Sequence, residues 1–252
     1  MIPGAGRSGD TYRDAWIEAA EKYNVLILSP MYPDDDYPFE VYHLGGLIET
    51  SNLRESVEFI ENSNIAKLDE TIFNYQLNPN REEWIFKDFD RIFDLVVEAT
   101  ASTQNQYDLF GHSAGGQILH RFVIFNPDSK ANRIIAANSG FYTLPDLANQ
   151  LPFGIKDVAL IDENLANSFD KELILLIGEL DNAEEQGGTL LRSKSADKQG
   201  FHRLERGQYF YKYSKNVAKE MDLNYNWKIK IVRAVGHNHR EMAKAAAEFL
   251  YE

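Results

Sequence analysis

The chain has no cysteine among its 252 residues. Disulfide scaffolds, thiolate metal sites and cysteine nucleophiles are therefore excluded, while the compartment stays open, because a cysteine-free protein works in cytosol, periplasm or outside. No run of about 18 apolar residues occurs, so a membrane-spanning helix is excluded. No cluster of lysine and arginine interleaved with aromatics offsets the formal charge of -13. Such a field repels a polyanion, and nucleic acid is not an expected partner. Low-complexity tracts are absent too. With 44% hydrophobic and 26% charged residues, the composition is that of an ordinary globular protein. The length favours one sizeable α/β core over two, so a single domain spanning residues 1–252 is expected.

The start of the chain carries no signal peptide. Met1-Ile2-Pro3-Gly4-Ala5-Gly6 reads instead like the end of a strand and the loop after it. The expectation is a shortened or mis-started chain whose first strands are missing; an in-frame signal peptide upstream would make the protein exported. Tyr12, Trp16 and Ala20 recur at helical spacing after Asp10 or Thr11, and Val25 to Leu28 is a short buried-strand run. From Glu82 to about Thr100, Ile85, Phe89, Ile92, Phe93 and Val96 line one helical face. Strands are expected at Tyr107 to Phe110, Arg133 to Ala137, Leu173 to Ile177 and, with the alternating lysines of an edge, Trp227 to Val232. An amphipathic helix runs from Ile118 to near Asn126-Pro127, and Glu241 to Tyr251 closes the chain as another. This alternation predicts a doubly wound, mostly parallel sheet with helices on both faces and reactive loops at the strands' carboxyl ends. Residues 31–79, 141–170 and 182–207 break the alternation and are expected to cover the site.

Gly111-His112-Ser113-Ala114-Gly115 lies between a predicted strand and a predicted helix, which is the pattern of a nucleophile elbow. A serine hydroxyl is a poor nucleophile at neutral pH and needs a base, held in the right tautomer by a third group. The strand ending at Ile177 runs into Gly178-Glu179-Leu180-Asp181, which makes Asp181 the chosen acid and Glu179 its competitor. Gly236-His237-Asn238-His239 follows the last strand and completes the order serine, acid, histidine. His237 is preferred as base; His239 stands closer to the helix and suits a cap or supporting role. The two histidines lack further residues that would make them a metal site, and no cofactor is called for. His112 is expected to pack beside the serine, and His43, His120 and His202 to serve surface or packing roles.

Acyl transfer also needs donors for the oxyanion. Ala114 is expected to supply one backbone N–H, and Ala5 or Gly6 in the glycine-rich loop the other. That loop lacks the Lys and Ser/Thr of a phosphate-binding P-loop, and GxG alone is a weak dinucleotide signal.

With these residues placed, nearly the whole chain resembles the α/β-hydrolases, in the esterase branch that holds poly(3-hydroxybutyrate) depolymerases and feruloyl esterases. Pro3 to Arg7, the Asp10 to Trp16 helix start, the elbow, Asp181 and Gly236-His237 carry the resemblance. Pro3 departs from the histidine that many relatives have ahead of the glycines. The resemblance implies an α/β-hydrolase fold in which the strand before the Pro3 loop lies centrally. It also implies a cofactor-free serine hydrolase acting on a small-molecule or polymer-derived ester, while the substrate itself and the oligomeric state stay open. A catalytically silent binding protein and a serine peptidase are the alternatives. Tyr42, Phe141 and Tyr142, with His43, Leu44, Leu144 and Phe153, are candidates for a substrate pocket or for packing of the cover. Ser139 and Gly140 are expected beside that pocket. Arg7, Arg203 and Arg206 could meet a substrate carboxylate, with a surface position the simpler expectation.

Overall fold

The computed structural model describes residues 1–158 and 162–252. Two short helices, α1 (Gly9–Asp14) and α2 (Ile17–Tyr23), follow the opening loop. A covering segment then holds α3 (Phe39–His43), β1 (Ile48–Ser51), α4 (Leu53–Ser56), β2 (Val57–Phe59), β3 (Ile65–Leu68) and β4 (Tyr75–Leu77). The main alternation runs α5 (Ile85–Thr100), β5 (Tyr107–His112), α6 (Ala114–Phe125), β6 (Ala131–Ala137), α7 (Asp162–Asp170), β7 (Glu172–Gly178). After it come β8 (Leu190–Arg192), α8 (Lys194–Gln199), α9 (Arg203–Glu220), β9 (Lys228–Val232) and α10 (His239–Tyr251).

The main sheet has the order β5-β6-β7-β9 and is parallel throughout. Successive side chains of a strand point to opposite faces, and both faces here are buried. Leu109, Ile134, Ala136, Leu173, Leu175 and Ile177 pack with residues of α5, α6, α7 and α9. Phe110, Ile135, Ala137, Ile174 and Leu176 pack on the other side with Trp16 and with Met242, Ala243, Ala246, Ala247 and Leu250 of α10. This is the doubly wound arrangement expected from the apolar runs. β9, with its alternating lysines, lies at the sheet's edge.

The amino-terminal side departs from the simple reading. Among the described residues, Ile2 alone continues the sheet past β5, by a parallel bridge to Gly111 in which its N–H donates to Phe110 O at 2.8 Å. Val25 to Leu28, expected as a buried strand, has no ladder partner among the described residues, and Leu26 and Leu28 are 67% and 41% exposed. Between this stretch and β5 lies an apolar groove of about 740 Å³, also lined by Phe89, Ile92, Phe93 and Val96. Without a strand in that space, the run has nothing to pair with. The helix expected from Asp10 breaks into α1 and α2 at Ala15-Trp16, where Trp16 is turned into the core at 2% exposure.

The three covering stretches contain more structure than their composition suggests. β1 pairs with β4 and β2 with β3, both antiparallel, whereas β3 pairs in parallel with β8. That last pairing joins the first cover, residues 31–79, to the third, residues 182–207. α9 begins inside the third cover, and its 18 residues were missed because its apolar and polar positions mix around the helix. Part of the second cover, residues 159–161, lies outside the described residues. No helix of the described residues is long and apolar enough to cross a membrane.

Candidate active site

Ser113 sits between the end of β5 and the start of α6 with φ 60° and ψ -116°, a conformation that L-residues adopt at a cost. Its N–H donates to Ala137 O at 2.9 Å, which fixes the turn to the end of β6. The flanking glycines are required by contact. A Cβ on Gly111 would collide with the backbone of Gly115, and one on Gly115 with the backbone of Ile2. Ser113 is partly exposed, while His112 and Ala114 on either side are buried.

Asp181, past the end of β7, is fully buried. Its Oδ2 lies 2.8 Å from His237 Nδ1, and His237's side chain is only 5% exposed. The structure thus brings together the acid and base selected from the sequence. Glu179 is instead exposed and accepts from the Ala234 N–H, and His239 stacks on Tyr12 with ring centroids 4.4 Å apart. His112 and His237 have ring centroids 4.6 Å apart, which places His237 at the elbow. Among the described residues no hydrogen bond joins Ser113 Oγ to His237, whose Nε2 has no partner.

His112 is held neutral. Burial pushes its pKa well below the ordinary histidine value, and the nearby His237, His239 and Arg203 push the same way. Its Nδ1 lies 3.2 Å from Tyr12 Oη and its Nε2 3.4 Å from Asn138 Nδ2. Asn138, fully buried in the left-handed region at φ 47°, also accepts from the Gly178 N–H at 2.8 Å and donates to Gly236 O at 3.0 Å. One amide therefore ties the ends of β5, β6 and β7 to the histidine loop. The sequence reading missed Asn138; its place directly after a predicted strand, beside Ser139 and Gly140, was the available signal.

The loop after β7 holds His237 from its other side. Glu185 accepts from the backbone N–H groups of His237 and Gly187, both at 2.6 Å. Arg203 corrects an expectation. Its simpler reading was a surface cation, yet its side chain is 2% exposed and its Nη1 lies 2.9 Å from Asp181 Oδ1. Arg206 is fully buried as well, donating to Gly140 O and Gly200 O. Arg7 binds Asp34 and lies over the Tyr42 ring at 4.8 Å. All three are drawn into structure because their neighbours offer acceptors, which composition does not reveal.

In the opening loop a turn closes from the Arg7 N–H to Gly4 O at 3.0 Å. The N–H groups of Ala5, Gly6 and Ala114 have no acceptor among the described residues. Tyr42, fully buried, donates its hydroxyl to Pro3 O at 2.8 Å and so braces this loop from below. Phe141 packs between His43 and Phe153, and Tyr142 stacks on Phe210 at 4.5 Å; both are buried. Ser139 and Gly140 are buried beside them. The 740 Å³ groove includes none of Ser113, Asp181 or His237 in its lining. Among the described residues no group of three or more His, Cys, Asp or Glu is arranged to hold a metal ion.

The whole chain superposes on poly(aspartic acid) hydrolase-1 from Sphingomonas sp. KT-1 with a TM-score of 0.82 and 36% identity, covering 86% of that protein. The chain belongs to the esterase-like α/β-hydrolases. This hydrolase also matches LpqC, a poly(3-hydroxybutyrate) depolymerase from Bordetella parapertussis, with a TM-score of 0.80 and 26% identity over 99% of its own length and 76% of LpqC. An S-formylglutathione hydrolase from Agrobacterium tumefaciens shares the fold at 10% identity and a TM-score of 0.52, covering 99% of this chain and 80% of that one. No protein-family model and no curated protein matches the hydrolase.

Proposed function

We propose that this hydrolase cleaves carboxylic esters through an acyl-enzyme, with Ser113 as nucleophile, His237 as general base and acid, and Asp181 as the group that orients His237. The observation that carries the reading is the 2.8 Å Asp181–His237 hydrogen bond at the edge of a serine elbow. Ser113 Oγ attacks the ester carbonyl and its proton passes to His237 Nε2. The oxyanion is met by the backbone N–H groups of Ala114 and of Ala5 or Gly6. Collapse breaks the bond to the alcohol, which leaves with the proton from His237. Water then attacks the acyl-serine by the same route, releasing the acid and restoring Ser113. Catalytic hydrogen bonds such as Ser113–His237 commonly tighten only when substrate binds.

The match to a poly(3-hydroxybutyrate) depolymerase favours a polymer-derived ester, with Tyr42, Phe141 and Tyr142 shaping the covered side of the site. Amide cleavage is the second reading, favoured by the 36% identity to a poly(aspartic acid) hydrolase. Labelling by a fluorophosphonate, lost in Ser113→Ala, tests the nucleophile. A folded wild type that does not label sinks the hydrolase reading and leaves a silent fold. Parallel assays on p-nitrophenyl acyl esters, hydroxybutyrate oligomers and poly(aspartic acid) rank the substrates, and amide cleavage without ester cleavage overturns the choice of ester.

A further inference from the structure

Arg203 sits at the first position of α9 with nearly all of its side chain out of water. Nη1 donates to Asp181 Oδ1 at 2.9 Å, and Nη2 donates to both Gly188 O and Thr189 O at 2.9 Å. The backbone repeats the link, because the Leu204 N–H donates to Asp181 O at 3.1 Å. Gly188 in turn lies against the imidazole: a Cβ there would be 2.7 Å from His237 Cδ2 and Nε2. One guanidinium therefore grips both the carboxylate that holds the base and the loop that covers the base's reactive edge.

We infer that Arg203 is a positioning residue of the Ser113 site, neutralising the far oxygen of Asp181 and fixing the Gly188 loop over His237. This rests on the hydrolase reading above. A buried carboxylate flanked by a fixed cation gives less stabilisation to an imidazolium than a bare one. The groups around the pair are His112 from β5, Tyr142 after β6 and Glu185 after β7, with His239 of α10 beyond His112. His112 and His239 are both shifted towards the neutral form by burial. Glu185 is engaged with the His237 and Gly187 N–H groups. Removing Arg203 thus leaves Asp181 facing His237 with no cation against its other oxygen.

The experiment measures p-nitrophenyl ester hydrolysis against pH in Arg203→Met, Arg203→Gln and Arg203→Lys. Glutamine keeps an amide donor for the buried carboxylate should the methionine variant not fold. In either neutral variant the acid limb of kcat/KM moves up by about one pH unit, and kcat falls roughly 100-fold with KM within about twofold. Lysine, which keeps the charge, holds the limb near its wild-type position. A folded neutral variant with the wild-type limb, or a lysine variant that shifts as methionine does, overturns the inference. Should the wild type turn over no ester, the function reading fails separately. The coupling is then read from NMR titration of the His237 ring protons, which has the same expected shift and the same overturning result.

Discussion

Gly188 lies so close to His237 that no side chain fits at position 188 without strain. Gly188 has φ +61°, and a Cβ added to it would stand 2.7 Å from the imidazole edge and 3.3 Å from Arg203 Nη2. Gly188→Ala therefore meets two costs. The left-handed backbone costs about 1–2 kcal/mol for a residue with a side chain, and the methyl must push His237 or the loop aside. We expect a folded variant with a melting temperature a few degrees lower and kcat/KM reduced roughly 100-fold, since small displacements of a reacting group are that costly. Wild-type activity in this variant would show that His237 does not act from its present position.

Asn138 joins Gly178 and Gly236 across a buried seam, with hydrogen bonds of 2.8 Å and 3.0 Å. Asn138→Ala strands the buried Gly178 N–H, at a cost of about 1–3 kcal/mol, and leaves the partly buried Gly236 C=O without its donor. The methyl group also keeps the left-handed φ of 47° without the asparagine's local hydrogen bonding. Destabilisation of about 3 kcal/mol is expected from urea unfolding. A change below about 0.5 kcal/mol would mean that the seam is not maintained in solution.

The strands of the main sheet and the placement of the candidate residues Ser113, Asp181 and His237 near strand ends were legible because each signal is local. An apolar run marks a buried strand, and the proposed reactive residues follow within a few positions of strand ends. The orienting contacts were not legible, for Arg203 reaches back 22 positions to Asp181 and Asn138 reaches forward 98 to Gly236. Nothing in the local pattern around Arg203 distinguishes it from a surface cation. Val25 to Leu28 reads as a buried strand by composition, yet a strand exists only through its neighbour, and that neighbour lies outside local pattern. The covers were read as loops because β2, β3 and β8 have three or four residues each, and β8 is held by a long-range parallel pairing with β3.

Acid should unfold the protein through its buried histidines before most carboxylates protonate. His112 and His120 are 2% and 0% exposed, and burial holds both pKa values well below the ordinary histidine value. His120 shows why: Nδ1 meets Gly116 O and Nε2 accepts from the Thr143 N–H, so a second ring proton would face a donor. Because the folded pKa values are depressed, the unfolded chain binds more protons below about pH 6.5, and stability falls as pH falls. The stabilisation is present above that value and is lost by about 1 kcal/mol per histidine between pH 6.5 and 5.5, about 2 kcal/mol for the pair. Urea midpoints at the two pH values measure it. Equal midpoints would show that these histidines are not buried in the neutral form.

The elbow itself should cost stability. Ser113 holds φ 60° and ψ -116°, a region nearly closed to residues with a Cβ, and such strain is worth about 1–3 kcal/mol. Glycine enters that region freely but adds freedom to the unfolded chain, a loss of about 0.4–1 kcal/mol. Relief outweighs the loss, so Ser113→Gly should be more stable than wild type by about 1 kcal/mol while losing fluorophosphonate labelling. Ser113→Ala keeps the Cβ, hence the strain, and should lose labelling with little gain in stability. Comparing the two separates backbone strain from removal of the hydroxyl. If alanine and glycine stabilise equally, the hydroxyl and not the backbone carries the cost. If glycine destabilises, Ser113 is not held in the conformation that aims it at the site.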